Sequence, residues 1–256
     1  MTLVDPGHSP APVLRAVARA VPALRRGAAE LALIGVLYLL YRLGRLLARG
    51  QEAVAHDNAV EVHALEHLLR LPSEATLQGL VPSDRLLHLA NVYYVSAHFP
   101  SIIAFLVWGY LARPRAQYQW ARNLLIVVTG AALVIHVVYP LAPPRMFPQW
   151  GFIDTMAALG PNAYGGASGD LANQFAAMPS LHVGWAALIA YVVARTGPRW
   201  LAGLAVVHVL VTTLVVVVTA NHYWLDAGVA LVILAVAALA LRAPPAVSVA
   251  RRSPAP

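Results

Sequence analysis

Three short stretches of this chain set histidine, aspartate, serine and arginine beside apolar runs, where such residues are costly without a partner or an aqueous cavity. The first, Tyr139-Pro-Leu-Ala-Pro-Pro-Arg145, delivers an arginine from a proline-stiffened segment. The second, Met178-Pro-Ser180-Leu-His182, places a proline and a serine where a helix would begin. The third, Asn221-His222-Tyr-Trp-Leu-Asp226, sets a histidine and an aspartate four residues apart, one above the other if the segment is helical. Together they describe a phosphate site. A helix N-terminus and Arg145 attract an anion, and two neutral histidines supply a nucleophile and a proton donor. Asp226 holds a ring N–H of His222 and stabilises the charge that develops when the other nitrogen attacks phosphorus. Taken singly, each has a structural reading too: His222 and Asp226 as an interhelical tie, His182 and Ser180 as helix caps, Arg145 as an interface marker.

The elements that position these residues are membrane helices. The chain has 256 residues, 59% hydrophobic and only 11% charged, far from the balance of a soluble domain. All 18 basic residues are arginine, and there is no lysine or cysteine. That excludes Walker-type phosphate loops, Schiff-base lysines, thiol nucleophiles, iron–sulfur clusters and cysteine zinc sites. The net charge of +7 is spread between apolar runs and not gathered into a surface for nucleic acid. Runs of about 20 apolar residues with polar ends predict six spans, at 27–48, 86–111, 124–142, 178–194, 200–220 and 223–241. With the N-terminus inside, twelve arginines fall on the cytoplasmic side and six fall outside with most of the acids. Both termini are therefore expected in the cytoplasm of a cell-membrane protein, and all three chemical stretches at the outer face.

Around a membrane domain at 27–242, the Pro-, Ala- and Arg-rich segments 1–26 and 243–256 read as mobile tails. Between 51 and 71, Val54, Asn58, Val62, Leu65 and Leu69 recur at helical spacing, with Glu52, His56, Glu61, His63 and Glu66 largely elsewhere on the wheel. That pattern predicts an amphipathic helix at the interface. The segment 143–177, rich in Gly, Pro and Asn, is long enough for a functional outer loop. The fold class expected is an all-α integral membrane bundle of six helices with one interfacial helix.

The motifs Met178-Pro-Ser-Leu-His182 and His222-x-x-x-Asp226, with the upstream Arg145, resemble those of the type-2 phosphatidic acid phosphatase superfamily. The resemblance implies that His222 attacks phosphorus to give a phosphohistidine, that Asp226 orients it and that His182 protonates the leaving group. Ser180 and Arg145 would bind phosphate oxygens. The family's first motif has a lysine seven residues before its arginine, here Val138, and its third an arginine six before the histidine, here Val216. Losing one transition-state donor typically costs about 3 kcal/mol, so this site must draw on other donors or act on a less charged phosphate. His136, Asn221 and Tyr164 are candidates for that replacement. The phrases Pro-Leu-Ala-Pro-Pro-Arg-Met and His-Tyr-Trp-Leu-Asp, and the pattern Asn91-x-Tyr93-Tyr-x-x-x-His98-Phe, are similar to the inositol phosphorylceramide synthase branch. That likeness implies transfer of a phospho-head group, such as phosphoinositol, to a lipid hydroxyl. The alternative is a lipid phosphate or polyprenyl diphosphate phosphatase using water, and a nonenzymatic lipid carrier or transporter is the third reading. The partners expected are the bilayer and a lipid substrate, with no metal, no cofactor and no nucleic acid.

Tyr93, His98, His136, Tyr164 and Asn221 are further candidates to line the cavity, beside the plainer reading of satisfied buried histidines and interface aromatics. His208 reads as structural, and Gly165-Gly-Ala-Ser-Gly169 as a flexible linker. His63-Ala-Leu-Glu66-His67 fits the H-x-x-E-H pattern of inverted zinc peptidases. No glutamate follows Glu74 to complete that ligand set, so His63 and Glu66 are expected to face water instead.

Overall fold

A computed structural model describes residues 50–162 and 173–244, with scattered positions between 25 and 39. The chain divides into two units, 1–46 and 47–256. The described positions of the first are helical. Most of the span predicted at 27–48 lies outside the described residues, as do 1–24, 245–256 and the loop positions 163–172 that include Tyr164.

Apart from turns and one isolated bridge, the described backbone of the second unit is helical: α1 (Glu52–Leu68), α2 (Glu74–Gly79), α3 (Asp84–Ala112), α4 (Arg115–Val138), α5 (Thr155–Leu159), α6 (Leu181–Thr196), α7 (Arg199–Val218) and α8 (Trp224–Ala240). Starts are set by local chemistry. Ser73, Ser83 and Ser180 each accept a backbone N–H from the first turn of α2, α3 and α6. Prolines 114 and 198 immediately precede α4 and α7, where their missing N–H costs nothing.

Helices α3, α4 and α7 are long and apolar enough to cross a membrane, and α6 and α8 are shorter apolar helices. Their outward faces carry large apolar side chains, among them Phe99, Ile103, Leu210, Leu214, Val232 and Leu239. An apolar exterior of this kind suits lipid, where folding gains nothing by hiding it. Between the helices, Leu124, Val128, Leu188, Val192 and Leu234 form one buried cluster. Gly184 of α6 faces α8, where a Cβ would just touch the Ala230 methyl at 3.4 Å and a longer side chain would have no room. The predicted cores of the second to sixth spans coincide with α3, α4, α6, α7 and α8. The third ends at Val138, four residues before the predicted end, because Pro140 cannot continue a helix.

The structure adds detail to the two segments outside the predicted spans, the first of which is helical as its spacing predicts. In α1 the buried face is Ala55, Ala59, Val62 and Glu66, whereas Val54, Leu65 and Leu69 are exposed. Small residues decide it: at Ala55 the neighbouring chain comes close enough for the Ala142 N–H to reach the Ala55 carbonyl at 3.0 Å. Larger side chains on that face would hold the backbones apart. The described parts of 143–177 carry short elements of their own. Single turns at Pro144–Met146 and Pro148–Trp150 precede α5, and a bridge joins Leu141 to Ala176. Two buried amides fasten the segment. Asn91 of α3 donates to the Thr155 and Gly160 carbonyls, and Gln78 of α2 donates to the carbonyls of Ile153 and Val218.

Candidate active site

The third chemical stretch folds differently from its spacing. His222 lies before α8, not on it; Tyr223 is the N-cap and Asp226 sits in the first turn. Asp226 therefore works as a capping carboxylate as well as a partner for the histidine. Its Oδ2 accepts the Tyr223 N–H at 2.8 Å and lies 3.3 Å from His222 Nδ1. The shorter bond of His222 is one the sequence does not announce: Nδ1 is 2.8 Å from the Ala177 carbonyl. A carbonyl only accepts, so Nδ1 carries the proton and Nε2 keeps a lone pair. The turn that presents His222 is itself held tightly. Ala220 adopts a left-handed conformation, φ +52°, uncommon for a residue with a Cβ. The N–H groups of Asn221 and His222 both reach the Val216 carbonyl.

Arg145 arrives from the opposite side. Its backbone N–H donates to the Ala220 carbonyl at 2.8 Å, and its Nε donates to Asn221 Oδ1 at 3.2 Å. Asp154 lies 3.6 Å from its Nη1 and partly balances the buried charge. Asn221 in turn donates to Thr219 Oγ1 at 2.9 Å, which orients its oxygen toward the arginine. Asn221 thus positions Arg145 instead of replacing a missing cation.

Ser180 caps α6 through the Val183 N–H at 3.4 Å, and its own N–H donates to the Asp226 carbonyl at 3.0 Å. His136 donates Nε2–H to the Pro179 carbonyl at 3.1 Å, so it braces the entry to α6. His182, in the first turn of α6, stacks on Tyr94 at 4.2 Å between ring centres and packs on His98 at 4.1 Å; His222 lies 5.7 Å away. His98 also stacks on Trp185. Tyr93, one residue from the stack, is bonded to His208 Nδ1 at 2.6 Å and to Thr212 at 3.0 Å.

The structure therefore brings His222, Asp226, His182, Ser180, Arg145, Asn221, His136 and His98 into one region. The two positions without the family's charges behave differently. Val138 points outward, 71% exposed, whereas Val216 is wholly buried.

Glu66 and Glu74 were missed as contributors, and Glu66 is a correction, since it is 4% exposed and does not face water. Its Oε1 accepts the Leu225 N–H at 2.8 Å, and Glu74 Oε1 accepts the Trp224 N–H at 3.2 Å. With Asp226 on Tyr223, three successive N–H groups at the start of α8 meet three carboxyl groups. Burial and then the adjoining Glu74 push Glu66 up to about 9, so it keeps its proton at neutral pH. The H-x-x-E-H stretch is otherwise taken up by packing. His63 stacks on Trp150 and lies 3.1 Å from His67, ring nitrogen to ring nitrogen. Among the described residues no group of three or more metal-ligating side chains is arranged to hold an ion. No local signal announced the two glutamates, since Glu66 stands between Leu65 and His67 and Glu74 between Ser73 and Ala75.

No curated protein and no solved structure matches the chain. A family model matches residues 60–241, which include every part of the site just described. By that match the chain belongs to the PAP2 superfamily, whose members are generally phosphatases and whose chemistry is that of phosphatases and phosphotransferases.

Proposed function

We propose that this chain is an integral membrane enzyme that takes a phosphoryl group from a lipid onto His222 Nε2. The observation that carries this reading is the Nδ1–H bond of His222 to the Ala177 carbonyl, which leaves Nε2 as the basic nitrogen beside His182. As Nε2 bonds to phosphorus, the ring becomes cationic, and the Asp226 carboxylate 3.3 Å from Nδ1 stabilises it. His182 gives a proton to the departing oxygen and recovers one from the acceptor. Arg145, fixed by Asn221 and Asp154, and the N-terminus of α6 at Ser180 hold the phosphate oxygens.

The proposal keeps six spans, with both termini cytoplasmic and the site on the extracytoplasmic face. It favours transfer of a phospho-head group to a lipid hydroxyl, as in the inositol phosphorylceramide synthase branch, over hydrolysis. A buried valine at 216 and an outward valine at 138 leave Arg145 as the arginine beside His222 among the described residues. A phosphodiester, with less negative charge than a monoester, needs less neutralisation. Purified protein in lipid nanodiscs should be given either phosphatidylinositol with a lipid alcohol, or a phosphomonoester lipid in water. Faster turnover of the first pair supports transfer, preference for the second makes the chain a phosphatase, and turnover of neither refutes both.

A further inference from the structure

Beside His182 lies a small cavity, with room for about one water-sized group, bounded by α3, α6 and α7 and lined by Tyr93, Tyr94, His98, His182, Thr212 and Val216 among others. Its polar wall is unusual for helices of this apolarity. Tyr93, His208 and Thr212 form a bonded row between α3 and α7, and polar groups at such depth ordinarily mark a ligand path. The lining includes no arginine and no carboxylate. A phosphate would be desolvated there without a counter-charge, whereas a hydroxyl finds neutral donors and acceptors in the tyrosine, threonine and imidazoles.

The cavity is also small, below the usual size of a site that encloses a whole ligand. It has room for a single hydroxyl while the rest of a lipid stays outside. Next to it, the outer faces of α3 and α7 expose Val92, Val95, Val207 and Val211, an apolar surface that acyl chains can cover.

We infer that this cavity is the alcohol subsite, holding the hydroxyl-bearing end of a lipid alcohol against the Tyr93–His208–Thr212 row with its oxygen at His182. This rests on the reading of His222 as nucleophile and names what sits opposite it. In the first half-reaction the ester oxygen–phosphorus bond breaks as the Nε2–phosphorus bond forms, and protonated His182 gives its proton to the departing alcohol. In the second, an alcohol in the same cavity attacks phosphorus and its proton passes to neutral His182. The Nε2–phosphorus electron pair then returns to His222. A bound alcohol excludes water from this position, so the cavity also sets the ratio of transfer to hydrolysis.

The full chain in nanodiscs is irradiated with a long-chain alcohol that carries a diazirine beside its hydroxyl end, and the labelled peptides are mapped. Label is expected on the α3 segment around Tyr93 to His98 or on the α7 segment around His208 to Val216. Excess unlabelled alcohol should compete and inorganic phosphate should not. Tyr93→Phe combined with Thr212→Val should lower both labelling and the transfer-to-hydrolysis ratio about ten-fold, the scale of losing one or two neutral hydrogen bonds. Leu210→Ala, on the lipid face of the same helix, should leave labelling unchanged. Label elsewhere, or a wild-type label that phosphate displaces and alcohol does not, overturns the assignment whether or not the double variant folds. Specific, alcohol-competed labelling in a protein that forms no phosphoenzyme would keep the subsite and refute the nucleophile. A phosphoenzyme without that labelling would do the reverse.

Discussion

At the scale of single residues, the site depends on hydrogen bonds that fix direction more than on the identity of its charges. Arg145 is aimed by Asn221, whose own amide is held by Thr219. Asn221→Ala should therefore lower kcat by about 100-fold, since a misplacement of an ångström can cost that much, while Arg145 and its charge stay in the protein. A kcat within two-fold of wild type in a steady-state assay would show that Asn221 does not position the arginine. Glu66 makes a different kind of prediction. Its carboxyl is raised to about 9 by burial and by Glu74, so its contribution is fully present below the ordinary glutamate value and is lost as pH rises through 9. Glu66→Gln keeps an oxygen for the Leu225 N–H and cannot ionise. Between pH 6 and pH 10, thermal unfolding of wild type should fall more steeply than that of the variant, and parallel curves would contradict a protonated Glu66. The polar residues that gather around His222 were legible because His, Asp, Ser and Arg are rare and costly in such a setting. The Ala177 carbonyl and the two buried glutamates were not. A backbone acceptor leaves no mark on sequence, and a glutamate on a surface helix reads as solvated until its neighbours are known.

At the scale of elements, the two helix starts that carry His182 and Asp226 are locked to one another: Ser180 N–H reaches the Asp226 carbonyl, and Gly184 faces Ala230 with no room for a longer side chain. Gly184→Leu should separate α6 from α8, with a loss of several degrees in unfolding temperature and of most activity. Unchanged stability would mean that the approach is not needed. Ala220 offers the converse case. Its left-handed conformation suits glycine, so Ala220→Gly should keep activity within a few-fold, whereas Ala220→Val should cost more than ten-fold, because β-branching adds strain where the chain turns toward His222. Equal activities would show that this turn does not hold His222. Helix centres were legible because apolar length and flanking arginines or prolines fix them. The buried face of α1 was not, because alanines at 55 and 59 carry little hydrophobic signal yet permit the closest approach. The His222 to Asp226 spacing read as one helical face is a capped turn, a distinction that four-residue spacing alone does not make.

At the scale of the molecule, the described helices of the unit 47–256 show large apolar side chains on their outward faces and bury a polar cluster around His222. The chemistry assigned to it uses an imidazole nitrogen as nucleophile and an arginine with a helix terminus as the phosphate clamp, with no task left for a metal. Activity should therefore survive strong chelation, and a loss restored by added zinc would reopen the His63–Glu66–His67 stretch. The superfamily and the all-helical, membrane-type character were legible in the chain. What was not legible were the supports that come from residues far apart in sequence, such as Gln78 reaching Val218 and Trp224 reaching Glu74. The central claim is that phosphorus passes through His222 Nε2. It is tested most directly by rapid acid-free quenching of the enzyme with a phosphorus-labelled lipid donor, followed by peptide mapping. The account predicts transient label on Nε2 of His222 that is absent from His222→Ala. Turnover without that label, or label on Nδ1 or on another residue, would contradict it.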